Sequence, residues 1–336
     1  MTAVTGPGRW PGTDPLEAQT VVVGDLTELP DELVGMPFAV HLPDRGPWGD
    51  LPGLTAAALT DLPVELGAHG WKLADRPGAD LARAQSQRRE ALDALAVAAH
   101  GYVGPLVVPA LGPVTLAASL YLARGDRVVG DPGALRELTD SLADGLAEHL
   151  AALGRAVPGA VPTVLLHEPL VAAAITGVLP SFSGYSALRG ITTPVASARL
   201  STVVARLHEA GARVALHAGA SRAALGLALE SHADAAAVLV GDLDPGGWEN
   251  VASAVERGLA LWADLPPSPV SQCAGPDVGT RADVLVRSWR SVGLPFAGLR
   301  DVVLLTWSSA ATPDEARGEL ASVVASARVV AERAEQ

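Results

Sequence analysis

Cysteine, lysine and aromatic residues are almost missing from this chain of 336 residues. Its one cysteine, Cys273, excludes an internal disulfide and any zinc site built from several thiolates of a single chain. Its one lysine, Lys72, lies in a Gly-Trp-Lys segment and not at the end of an apolar run, so no buried amine is available there for Schiff-base chemistry. With 4% aromatics against 49% hydrophobic residues, Ala, Val and Leu must fill the core. Positive charge is scarce as well. There are 24 Lys and Arg against 37 Asp and Glu, a net charge of −13 without any basic run, which argues against nucleic acid as a partner. Apolar stretches such as Leu170–Leu179 are too short to span a bilayer, and the first residues lack the basic-then-apolar pattern of a secretory signal. The expectation is a cytoplasmic protein with no membrane partner.

What is present is a repeated pairing of short apolar runs with helical patterns. Strands are expected near Ala3–Gly6, Pro37–His41, Pro105–Ala110, Pro162–His167, Arg213–His217, Ala236–Gly241, Gly258–Ala263 and Val302–Trp307. These runs lack strict alternation, as strands covered on both faces do. Helices are expected near Ala79–Ala99, Gly133–Leu153, Ser197–Ala210, Ser221–Glu230, Trp248–Gly258, Arg281–Val292 and Asp314–Glu335. About eight such units predict an α/β fold of the (β/α)8 TIM-barrel type in one domain over residues 1–336, with an open doubly wound sheet as the alternative. The Pro/Gly-rich segments Leu42–Gly53 and Leu265–Gly279 read as large loops above the barrel.

In a barrel of this kind function sits at the carboxyl ends of the strands. The predicted ends carry His41, His167 with Glu168, His217, Asp242, Asp264, and Ser308 with Ser309. A lone strand-end histidine is more often structural than a ligand, but three at corresponding positions point to a pocket. Thr312-Pro313-Asp314-Glu315 reads as the capped start of a helix, and Cys273 as an incidental loop residue.

Five stretches, in order, carry a family resemblance: Thr5–Pro15 (TGPGRWPGTDP), Gly70–Pro77 (GWKLADRP), Leu111–Leu120 (LGPVTLAASL), His167–Pro169 (HEP) and Arg213–Gly219 (RVALHAG). On these the chain resembles the small single-barrel relatives of cobalamin-independent methionine synthase. The resemblance implies zinc held by His, Cys and a carboxylate, which binds homocysteine sulfur as a thiolate for attack on a methyl group carried by a folate or corrinoid.

Matched position by position, His217 corresponds to the family's zinc histidine, but the cysteine position two residues later is Gly219. The loop after the last strand reads Trp307-Ser308-Ser309-Ala310 where a second cysteine belongs. Asp242 is a candidate for the zinc carboxylate. Arg9 stands where the family has a serine, His167 replaces the aspartate of an Asp-Glu-Pro motif, and His41 replaces an acidic residue. Arg9, His41, His167 and Glu168 are therefore the candidate substrate-binding residues, in a pocket shifted from an ammonium toward a carboxylate or phosphate. Zinc binding is expected to be weak or lost.

Three readings stay open. One is an altered homocysteine S-methyltransferase-like enzyme using nitrogen and oxygen metal ligands, with a corrinoid methyl donor implied by the family. Another is a catalytically silent relative that binds a small anion or regulates a partner. The third is a metal-free barrel enzyme similar to uroporphyrinogen decarboxylase, against which stands the lack of several arginines in the opening loop.

Overall fold

Runs of Val, Ala and Leu with no polar alternation form strands buried on both faces, and here they line up in parallel. The computed structural model describes residues 1–219, 223–266, 278–305 and 310–335. Its strands are β1 (Thr2–Val4), β2 (Leu33–Gly35), β3 (Val64–Gly67), β4 (Gly70–Leu73), β5 (Val103–Leu111), β6 (Gly159–His167), β7 (Arg213–His217), β8 (Ala235–Leu239), β9 (Ala260–Asp264) and β10 (Val303–Leu305). Eight of them form one sheet in the order β2-β1-β10-β9-β8-β7-β6-β5, every neighbouring pair parallel. Helices alternate with these strands, among them α3 (Ala79–Ala98), α5 (Pro132–Ala156), α7 (Thr193–Glu209), α9 (Pro245–Glu256), α10 (Val278–Ser291) and α11 (Pro313–Arg333). This is the (β/α)8 barrel that the alternation of elements predicts. No helix among the described residues is long and apolar enough to cross a membrane.

The barrel closes within one stretch of chain. Residues Leu33–Gly35 pair with β1, whereas Pro37, Phe38 and Ala39 turn to β5: Phe38 bridges Val107 in parallel, the Ala39 N–H donates to the Val107 carbonyl at 2.8 Å, and the Val107 N–H donates to the Pro37 carbonyl at 2.8 Å. Among the described residues no strand lies beside the opposite edge of this stretch. Gln19 of α1 (Pro15–Thr27) takes that place, donating from Nε2 to the Phe38 carbonyl at 2.8 Å and accepting the Val40 N–H on Oε1 at 3.1 Å, all of it buried. The Phe38 ring in turn packs over Gly6, where a Cβ would stand only 2.4 Å from its Cε1 atom, so the opening loop tolerates no side chain at that point.

The structure adds elements that sequence periodicity does not show. α1 carries the β-branched run Val21–Val23 followed by Gly24, a poor helix by propensity; an Asp14 cap, Pro15 in the first turn and burial of Ala18, Val22 and Leu26 outweigh this. α2 (Leu51–Ala56) and α4 (Pro113–Ser119) are short for a periodic signal, and β3 and β4 form a separate antiparallel hairpin. The GWKLADRP stretch begins on that hairpin, with Trp71 buried and Lys72 paired with Glu65 at 2.7 Å. Lys72 is thus a hairpin residue, away from the barrel strands. The predicted loop Leu265–Gly279 falls largely outside the described residues, as do Cys273, Trp307, Ser308 and Ser309.

Replacing Gln19 by Leu keeps the volume and strands two buried backbone groups. The expected loss is about 1–3 kcal/mol per orphaned group, read as a lower urea midpoint with an unchanged m-value.

Candidate functional site at the carboxyl ends of the strands

Parallel register carries the strand-end residues to one level. His167 and His217 are Cα partners across β6 and β7, and Asp264 closes β9 opposite Leu239. His41 lies at the end of the closing stretch, where its N–H donates to the Gly8 carbonyl at 2.8 Å and its carbonyl accepts the Trp10 N–H at 3.0 Å. That pairing holds the opening loop over the mouth. Gly8 makes it feasible, since at φ +100 it adopts a left-handed backbone, and a Cβ there would stand 2.4 Å from Pro109 Cγ.

The side chains form a connected row. His167 Nε2 lies 3.0 Å from the Pro7 carbonyl, and His167 Nδ1 lies 3.3 Å from His217 Nδ1, the two rings meeting edge to face. His217 Nε2 is 3.5 Å from Asp264 Oδ2. His167, His217 and Asp264 are at most 4% exposed. A carbonyl only accepts, so His167 Nε2 carries a proton; burial first, and the neighbouring His217 second, drive the His167 pKa well below its usual value, so its Nδ1 is a bare acceptor. His217 must then donate from Nδ1, which leaves its Nε2 directed at a carboxylate. Nε2 and Oδ2 attract each other only with a proton between them. The pair is a proton donor in that state and an acceptor without it.

His41 stands beside this row, close enough for its charge to bear on His167. Both its ring nitrogens are buried and have no hydrogen-bond partner among the described residues; Nδ1 is 3.5 Å from Asp50 Oδ1. Burial lowers the His41 pKa, with the Asp50 carboxylate pulling the other way and the Arg9 charge adding to the drop. Arg9 is half-buried and bridges His41 through the backbone, while its Nη1 donates to the Ala310 carbonyl at 3.4 Å. The structure therefore gathers Arg9, His41, His167 and His217 in one region.

Two of the sequence expectations come out differently. Glu168, expected to grip a ligand, is fully buried with both oxygens taken up by the start of α4: Oε1 accepts the Val114 N–H at 2.9 Å and Oε2 the Thr115 N–H at 2.6 Å. Gly112 is required beside it, because a Cβ would meet Oε1 at 2.3 Å. Glu168 thus anchors a helix to the end of β6, a positioning task. Asp242 sits on an exposed turn after β8, and the carboxylate facing His217 is Asp264. The signal for Asp264 was in the sequence, where Ala-Leu-Trp-Ala-Asp ends in a polar residue as Val-Leu-Leu-His and Val-Ala-Leu-His do. Arg281, buried in the first turn of α10 and electrostatically coupled to Asp264, had no sequence signal.

These residues do not fit the family's zinc. Both nitrogens of His217 are already directed at His167 and Asp264, and Gly219 has no donor and adopts φ +62, where a cysteine would be strained. Among the described residues, no three His, Cys, Asp or Glu side chains converge as a metal cage.

No family model and no curated protein matches the chain. Among solved structures it is similar to a B12-independent methionine synthase from Shewanella sp. W3-18-1 in complex with selenomethionine, at 15% identity and a TM-score of 0.45, covering 78% of this chain and 70% of that one. It is also similar to a GH18 chitinase from Pseudoalteromonas aurantia, at 13% identity and a TM-score of 0.45 over 97% and 100% of the two chains. A 3-dehydroquinate dehydratase from Geobacillus kaustophilus HTA426 matches at 12% identity and a TM-score of 0.39, over 95% and 90%. Likenesses at this level assign no activity.

Two measurements check the site. Long-range proton–nitrogen spectra should show His167 protonated on Nε2 and His217 on Nδ1; a His167 ring carrying its proton on Nδ1 would break the row. Stability should fall on acidification below about pH 6.5, because unfolded histidines bind protons that folded His41, His167 and His149 refuse; burial, then the Arg88 charge, lowers His149 to about 3. Glu168 acts with the opposite sign. Burial, offset by hydrogen bonds from Thr115 and Val114, raises it to about 7, so its contribution is full below its unfolded value of 4.5 and is lost as pH rises through about 7. His149→Gln should flatten the acid limb by about 1.4 kcal/mol per pH unit, measured by urea unfolding between pH 6 and 4.

Proposed function

We propose that this barrel keeps the mouth of a methionine-synthase-like methyltransferase without its thiolate chemistry. It binds a small molecule bearing a carboxylate or phosphate beside Arg9 and the three histidines, and His217 with Asp264 exchanges a proton with that molecule. The observation that carries this reading is the row from the Pro7 carbonyl through His167 and His217 to Asp264. It is buried, directional, and ends in a pair poised for acid–base work rather than for metal ligation.

Arg9 supplies a permanent cation with a planar fork suited to oxyanions. Neutral His41 beside it and His167 farther along add no competing charge at neutral pH. Zinc-dependent homocysteine methylation, with or without a corrinoid donor, is on this reading ancestry and not present activity. The sulfur ligands that would make zinc a good thiolate binder have no counterpart at position 219, and His217 is committed elsewhere.

Calorimetric titration with succinate and with inorganic phosphate tests the reading. At least one should bind, and Arg9→Ser should weaken that binding by about tenfold or more, the value of one charge-assisted fork. His217→Asn should leave binding in place and remove the proton uptake or release that accompanies it, seen as heats independent of buffer ionisation. Stoichiometric zinc surviving dialysis, or methyl transfer from methylcobalamin to homocysteine that a chelator abolishes, would overturn the proposal.

A further inference from the structure

Arg281 is a buried cation coupled to Asp264 whose hydrogen-bonding capacity is only partly used among the described residues. It lies in the first turn of α10 and is 3% exposed. Its Nη1 donates to Ser322 Oγ of α11 at 2.7 Å, which fixes the plane of the guanidinium. Nε and Nη2, both buried, have no hydrogen-bond partner among the described residues. These two nitrogens form one edge of the guanidinium, with their N–H bonds parallel, the edge that grips a carboxylate or phosphate through two bonds at once.

Carboxylates are near but do not fill that edge. Asp264 and Glu319 both act on Arg281 electrostatically, favouring its charge against the burial that opposes it, yet neither hydrogen-bonds to it. Glu319 lines a small cavity with Pro7, Arg9 and Trp10, which links this corner to the opening loop. The position in the barrel is informative too. α10 and α11 follow β9 and β10, the seventh and eighth barrel strands, and that quadrant is where barrels of this architecture commonly seat a phosphate.

We infer that Arg281 is the anion anchor of the mouth, its Nε–Nη2 edge taking a terminal oxyanion of the ligand in a bidentate grip while Asp264 and His217 face the adjoining part of the same molecule. The inference rests on the small-anion reading above and gives it a second fixed point besides Arg9. Burying two N–H groups unpaired carries a desolvation cost, and an oxyanion seated on that edge offsets it. A carboxylate and a phosphate monoester share this chemistry.

Thermal unfolding of the full chain with inorganic phosphate, with succinate, and with chloride at matched ionic strength tests it. The wild-type midpoint should rise saturably with phosphate or succinate and not with chloride, and the anion that works tells which source the site prefers. In Arg281→Met the rise should be lost or the apparent affinity fall by about tenfold or more; Arg281→Lys, which keeps the charge but not the fork, should fall nearly as far. If Arg281→Met does not fold, Arg281→Lys decides, and unchanged affinity there refutes the grip. An anion response that disappears in Arg9→Ser but survives in both Arg281 variants overturns this inference alone. No response to either anion in the wild type overturns it together with the reading beneath it.

Discussion

The contact of His167 Nε2 with the Pro7 carbonyl is the constraint on which the mouth depends. It joins the loop after the first strand to the end of β6, on the far side of the barrel, and so closes the top of the barrel as the Phe38–Val107 bridge closes its wall. It also decides protonation. A carbonyl cannot donate, so one end of the row is set, and each ring after it has a single choice of tautomer until the row reaches Asp264. Gly6 and Gly8 make the approach possible by leaving room for Phe38 and Pro109.

Several carboxylates in this protein are held by backbone donors rather than by cations. Asp14, Asp50, Asp131, Glu168 and Asp244 are committed to helix starts, where backbone N–H groups take their oxygens. Each satisfies donors that a helix N-terminus leaves unpaired, four of them from the cap position itself and Glu168 from a distant strand end. Asp264 is different, because it sits at a strand end against an imidazole and near a buried guanidinium. Burying charged and titratable groups together is expensive, and such expense concentrates where chemistry or binding is done.

Much of this was legible in the sequence, and the pattern of success has a physical basis. The strand ends at His167 and His217 were readable because a parallel sheet buried on both faces leaves a long apolar run that a polar residue visibly terminates, whereas the expected strand Pro37–His41 is joined to its neighbours only by isolated bridges at Phe38 and His41, the strand there being Leu33–Gly35. The Thr312–Glu315 cap was readable because capping is local: Thr312 Oγ accepts the Glu315 N–H, and Glu315 reaches back to the N–H of Ala311. Helix α1 was not readable, since Val21–Val23 and Gly24 oppose helix and only burial against the barrel reverses the balance. The helix-anchoring role of Glu168 was not readable for a related reason. Its neighbour in the motif is His167, but its partners are Val114 and Thr115, more than fifty positions away.

Composition and the order of residues along the chain determined a barrel of alternating strands and helices, an acidic surface, and a set of imidazoles at the carboxyl ends of the strands. Those are consequences of hydrophobic periodicity and of which side chains exist at all. Tertiary structure alone decided that Asp264 faces His217, that Glu168 serves a helix, and that Arg281 keeps two buried N–H groups without an acceptor among the described residues. Direction and distance between side chains far apart in sequence are set by how strands stagger and helices pack around the closed sheet, and no local pattern encodes them.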